Sequence, residues 1–120
     1  MKIAISAQGP DLNSLVDPRF GRAAYFIIYD TSSKAFDSLD NSRNAAASQG
    51  AGIQAAQWIA QHSVDIVVSG NMGPKAFEVL REAGVQMVSW DSGTVAEAIE
   101  LVRNGELKPL DAANARGHWR

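Results

Sequence analysis

Residues 64–74 read Val-Asp-Ile-Val-Val-Ser-Gly-Asn-Met-Gly-Pro, and no other stretch restricts the fold as strongly. A short run rich in β-branched residues stops at Gly-Asn-Met-Gly-Pro, and helical spacing starts straight afterwards at Lys75. This pattern predicts a buried parallel strand that feeds a tight turn into a helix. In sheets built this way ligands sit beyond the carboxyl ends of the strands, where loops and the next helix start present backbone groups. Ser69, Gly70, Asn71, Met72, Gly73 and Pro74 therefore form a candidate binding loop. Two glycines and a proline also suffice merely to turn the chain.

The flanking sequence completes a layered domain. Lys2 to Ala7 reads as a strand with Ile3 and Ile5 on one face, ended by Gln8-Gly9-Pro10-Asp11. Residues 12–16 are too short to assign. Residues 24–31 form a second, strongly β-prone strand, and a turn at Ser32-Ser33-Lys34 leads to a partly exposed partner over 35–42. So short a connection makes this pair antiparallel. Residues 44–49 are a polar, alanine-rich approach to Gly50-Ala51-Gly52. Ile53, Ala56, Ile59 and Ala60 recur at helical spacing over 53–63, which leaves His62 on the solvent flank near Ala55 and Trp58. A further helix over 75–83 turns Ala76, Phe77, Leu80 and Ala83 inward, and Gly84 suits the left-handed residue that closes it. A strand over 85–90, a turn at Asp91-Ser92-Gly93-Thr94 and a helix carrying Val95, Ala98, Ile99 and Val102 inward follow, ending at Gly105.

This order predicts one α/β domain over 1–107, with three layers around a mixed five-stranded sheet and helices on both faces. Its first, fourth and fifth strands run parallel. Their carboxyl ends gather Gln8-Gly9, the 70–74 loop and Asp91-Ser92-Gly93 on one rim. Apolar periodicity fades from Lys108, so 108–120 reads as a flexible tail in which Gly117-His118-Trp119-Arg120 is a candidate contact point.

Composition then narrows the chemistry. The 120 residues contain no cysteine, which excludes disulfides, thiolate-held iron–sulfur or zinc sites and cysteine nucleophiles. The soft donors that remain are Met1, His62, Met72, Met87 and His118, so a soft metal held here arrives with its own sulfur ligands. Met72 alone lies in a candidate binding loop, where it packs, lines a pocket or touches a metal weakly. A net charge of -2 argues against broad nucleic-acid or anionic-membrane binding, so any anion site must be made locally. With no run of about 20 apolar residues and no signal-peptide pattern, the expected location is the cytoplasm.

Asp17-Pro18-Arg19-Phe20-Gly21-Arg22 places two arginines three residues apart around an aromatic residue and a glycine. Each guanidinium offers several donors and a permanent charge, which suits a multiply charged oxyanion or thioanion, and Asp17 is placed to orient one of them. A surface turn with an internal ion pair and Phe20 at the core edge fits the same residues. Gly50, Ala51 and Gly52 before a helix resemble a minimal anion nest. No Gly-Lys-Ser/Thr ending and no Gly-x-Gly-x-x-Gly supports a nucleotide. No Gly-x-Ser-x-Gly elbow occurs, and the first strand has no carboxylate for a two-metal centre, so no catalytic constellation is expected.

Taken together, the 17–23 motif with its aromatic-rich strand, the helix opened by Gly50-Ala51-Gly52, the 64–77 segment and Gly93-Thr94-Val95 with Glu97-Ala98-Ile99 resemble the dinitrogenase iron–molybdenum cofactor biosynthesis family over about residues 1–107. The resemblance is strongest to a cysteine-poor branch that carries a molybdenum–copper sulfide cluster. It implies a ribonuclease-H-like fold, no catalytic activity, and non-covalent binding of a thiomolybdate-type cluster by Arg19, Phe20, Gly21, Arg22, the 50–52 segment and the 69–74 loop. It also implies contact with P-loop ATPases. The alternative it leaves is a regulatory interaction module working with such an ATPase, with metal binding incidental. Many relatives have histidine where Arg19 stands, so the resemblance implies charge-assisted holding here rather than direct metal ligation.

Overall fold

A computed structural model describes residues 1–111 and 113. The elements in chain order are β1 (Lys2–Ala7), β2 (Tyr25–Asp30), β3 (Phe36–Asp40), α1 (Ser42–Ala45), α2 (Ala51–Ala60), β4 (Ile66–Ser69), α3 (Pro74–Glu82), β5 (Gln86–Ser89) and α4 (Val95–Arg103). They form one five-stranded sheet in the order β3-β2-β1-β4-β5. β4 runs parallel to β1 and β5 parallel to β4, while β2 and β3 are antiparallel additions on the other side of β1.

The period-two pattern of the strands fills two cores. On one face Ala4, Phe26, Ile28, Val67 and Met87 meet Ala55, Ala56 and Ile59 of α2 and Ala76, Phe77 and Leu80 of α3. On the other, Ile3, Ile5, Ile27, Val68 and Val88 meet Val95, Ala98 and Ile99 of α4. The mixed sheet with helices on both faces is the three-layer arrangement that the order of elements predicts. Because strands buried on both faces must be apolar throughout, β1 and β4 read as continuous runs rather than alternating ones.

Several local readings change. α2 begins at Ala51, directly after Gly50 in the left-handed conformation (φ 72°), and buries Ala51, Ala55, Ala56 and Ile59. Ile53 and Ala60 are only half-buried, so the inward face is rotated and Ala55 points to the core. Alanines permit this rotation, because a small side chain neither demands nor resists burial and the close approach of α2 to α3 selects them. His62 is half-buried; its Nδ1 lies 2.8 Å from the Trp58 carbonyl oxygen, and the two rings meet edge to face at 5.9 Å. α3 ends at Glu82, which leaves Ala83 as an exposed C-cap rather than a core residue. Gly84 takes the expected left-handed conformation (φ 79°), and Gly105, expected only to end the last helix, takes it as well (φ 70°).

The segment 12–16 is bridged at its carboxyl end, Val16 to Ala7 and Leu15 to Thr94. α1 is a one-turn helix without an apolar face, which removes the only periodic signal that would have announced it. Beyond Leu107 the chain stays attached: Pro109 bridges Val88, and the Leu110 N–H donates to the Met87 carbonyl at 2.7 Å along the outer edge of β5. The 117–120 segment lies outside the described residues. No helix among the described residues is long and apolar enough to cross a membrane.

Candidate anion-binding rim

The carboxyl ends of β1, β4 and β5 share one end of the sheet, and the 17–22 loop is laced across them. Asp17 N–H donates to the Ser6 carbonyl (2.8 Å), and the Ser6 hydroxyl returns a bond to the Asp17 carbonyl (2.7 Å). Ser6 and Ser69 Oγ atoms stand 2.8 Å apart. A hydroxyl has one hydrogen and a carbonyl only accepts, so Ser6 donates to Asp17 and Ser69 supplies the hydrogen between the two serines. Ser89 Oγ donates to the Gly70 carbonyl at 2.7 Å. Each parallel strand thus carries a small hydroxyl at or next to its carboxyl end that helps fix a neighbouring strand or loop.

The predicted loops meet backbone to backbone. Asn71 N–H donates to the Pro18 carbonyl (2.6 Å), Phe20 N–H to the Asn71 carbonyl (3.3 Å), and Arg19 and Asn71 form a parallel bridge. Gly70 is required at this crossing, since a Cβ there would stand 2.7 Å from Pro18 Cα and 2.6 Å from an Asp91 carboxylate oxygen. Gly21 is required for the same reason and not for a special φ: its Cβ would stand 2.5 Å from the Gly52 nitrogen. Gly52 in turn approaches Ala76, with 3.6 Å between a built Cβ and the alanine methyl. The starts of α2 and α3 are therefore neighbours beneath the 17–22 loop. Neither helix has a side-chain cap, and the first-turn N–H groups of a helix have no intrahelical acceptor. Two positive helix ends converge on this rim.

The six residues of the arginine motif separate by role. Asp17 is buried (1 % exposed), and its carboxylate accepts from Arg19 N–H (3.0 Å), Nε (3.2 Å) and Nη2 (3.3 Å). The Arg19 side chain is 62% exposed, and its hydrogen bond to Asp17, then their charge attraction, raises its pKa above the ordinary arginine value. Arg22 turns the other way: its Nη1 donates to the carbonyls of Ala45 (2.7 Å) and Ala47 (3.0 Å), bracing the chain after α1. Phe20 is buried against Phe26 with ring centres 5.1 Å apart, and Met72 lies in the same core cluster. Both underlie the rim instead of lining its surface. Asn71, Pro74 and Gly50 are exposed, and Gly73 is half-buried.

A cleft of about 340 Å³ lined by Gln8, Asp17, Pro18, Arg19 and Ala24 opens at the end of β1. The larger cleft, about 550 Å³ between α1 and α2, is lined by Trp58, Gln54, Gln57 and Gln61 among others and contains none of the predicted site residues. The first differs in holding an exposed guanidinium, that of Arg19, at the carboxyl ends of the strands. Among the described residues, no three histidine, aspartate or glutamate side chains come together as a metal site. Two members of the supporting frame carry no motif in the sequence. Ser6 is signalled only as a hydroxyl in an apolar strand. Asn41, 1 % exposed, donates through Nδ2 to the carbonyls of Gly21 (3.1 Å) and Ala23 (2.8 Å).

This arrangement of loops around a mixed sheet defines a class: the chain belongs to the dinitrogenase iron-molybdenum cofactor family, whose pattern matches residues 1–105. Within that family it is closely related to the orange protein of Desulfovibrio gigas, whose apo structure superposes with a TM-score of 0.92 at 38% identity, covering 95% of this chain and 96% of that one. The solution structure of the Thermotoga protein TM1290 is also similar, with a TM-score of 0.83 at 38% identity over 95% and 97% of the two chains. The Methanocaldococcus jannaschii protein MJ0580 is 28% identical over 113 residues, 92% of each chain.

Proposed function

We propose that this protein is a non-catalytic carrier, of ribonuclease-H-like fold, for an anionic molybdenum-containing metal–sulfur cluster of the molybdenum–copper sulfide type. The observation that carries the reading is the crossing of the 17–22 loop, which bears the exposed Arg19, over two helix starts that no side chain caps, in a chain closely related to the orange protein. Such a cargo is negative, polarizable and already ligated by sulfide. It calls for fixed donors and an apolar floor more than for protein thiolates. Arg19 supplies charge and directed N–H groups, the first turns of α2 and α3 supply backbone amides, and the buried Phe20 and Met72 support the rim from beneath. Arg22 holds the frame through the Ala45 and Ala47 carbonyls.

The test is an anaerobic titration of the apoprotein with tetrathiomolybdate and a copper salt, followed by desalting, absorption spectroscopy and metal analysis. Intense charge-transfer bands and a fixed molybdenum-to-copper ratio travelling with the protein are expected. Arg19→Ala is expected to weaken retention by about tenfold, the scale of one charge-assisted contact pair. A colourless, metal-free protein after desalting contradicts the reading.

A further inference from the structure

Arg19 is held along one edge only. Its Nε and Nη2 meet the two carboxylate oxygens of Asp17 side-on at 3.2 and 3.3 Å, and its own backbone N–H meets Oδ1 at 3.0 Å. Asp17 itself cannot yield, because it is buried and both its N–H and its carbonyl are bound to Ser6, which Ser69 backs. The second edge of the guanidinium, between Nη1 and Nη2, is the one left for a ligand, on a side chain that is 62% exposed. Among the described residues Nη1 makes no hydrogen bond.

We infer that Asp17 is a positioning residue, which locks Arg19 side-on so that its end-on fork faces the cleft and selects anions presenting two adjacent acceptor atoms on one centre, such as a tetrahedral thioanion. This deepens the carrier reading and rests on it for the identity of the anion. The fork has two parallel N–H donors in fixed geometry, which a lysine ammonium cannot reproduce. The lock also sets the sign of a substitution. As a bare neighbouring charge, Asp17 would repel an anion, and removing its charge would tighten binding. As a positioning group it works in the opposite direction, and removing it loosens binding.

The experiment compares unaltered protein, Asp17→Asn and Arg19→Lys for equilibrium binding of tetrathiomolybdate, with circular dichroism in the thiomolybdate bands and the ¹⁵N NMR signal of the Arg19 Nε–H. Expected results are a rise in Kd of about tenfold for each variant, loss of the induced dichroism, and a slowly exchanging Nε–H signal that Asp17→Asn abolishes. Tighter binding by Asp17→Asn, or unchanged Kd and dichroism in Arg19→Lys, overturns the inference. Arg19→Lys alters an exposed side chain and keeps the test open if Asp17→Asn does not fold. Failure of the unaltered protein to bind thiomolybdate overturns the carrier reading together with the anion-receiving role of the fork. Binding by the unaltered protein with no change in Arg19→Lys overturns the fork alone.

Discussion

The two ends of the sheet close their turns by different physics. At the rim, where the 17–22 loop crosses Gly70 and Gly52, backbone meets backbone and the turn is held by the absence of side chains. At the β2–β3 hairpin the turn is exposed and held by side chains that accept hydrogen bonds: Asp30 Oδ1 from Ser32 N–H at 2.8 Å, and Ser33 Oγ from Ala35 N–H at 3.2 Å. There a lysine, Lys34, occupies the left-handed region at φ 63°. Loops that cross at close range need rigid backbone without side chains between them, whereas a hairpin tip needs only solvent-tolerant turn chemistry.

Opposite responses to glycine would sharpen this contrast. Gly70→Ala and Gly21→Ala each force a methyl into backbone atoms that have no room to move, and each is expected to cost about 3 kcal/mol in urea unfolding. Wild-type stability in either variant would break the account of the crossing. Ser6→Ala comes next. It strips a buried carbonyl and a buried hydroxyl of a partner, so a loss of about 2 kcal/mol is expected in the same measurement. At the hairpin the sign reverses: Lys34→Gly relieves a left-handed lysine and should stabilise by about 0.5 kcal/mol, the strain relief of about 1 kcal/mol being partly offset by glycine entropy. Destabilisation there would show that the lysine side chain contributes more than its backbone strain costs.

The smallest effect is on pH. Backbone N–H donors of Ser32 and Ser42 hold the exposed carboxylates of Asp30 and Asp40 below the ordinary aspartate pKa. A pKa lower in the folded than in the unfolded state gives stability that is complete above the unfolded value and is lost as pH falls through the folded one. Denaturation midpoints should therefore drop slightly below about pH 4, and Asp30→Asn should flatten that drop.

Which parts of this were legible in the sequence follows the same division. The hairpin, β4 with its glycine turn, and the helix-ending Gly84 and Gly105 are set by neighbours in the chain, and their residues announce them. The 17–22, 50–52 and 69–74 segments were recognisable as candidates because glycine and arginine cluster there, and the fold brings all three together. Their internal roles were not legible. Whether Arg19 or Arg22 faces outward depends on Asp17 being pinned by Ser6 and on two carbonyls after α1, contacts that span 11 to 25 residues. Phe20 and Met72 turn inward for a similar reason, since the floor they fill is made by α2, α3 and β2 together. The inward face of α2 was ambiguous because alanine carries too little apolar contrast to fix a helical stripe.

The central claim is a location: the cargo sits on the rim built by the Arg19 loop and the starts of α2 and α3. Amide NMR of the protein during addition of tetrathiomolybdate and copper tests it directly. The account predicts the largest perturbations at Gln8, Asp17, Arg19 and Ala24, which line the Arg19 cleft, extending to Asn71 and to Gly52 and Lys75 at the helix starts, with little change at the hairpin. Perturbations centred instead on Trp58, Gln57 and Gln61, in the larger cleft between α1 and α2, would contradict it.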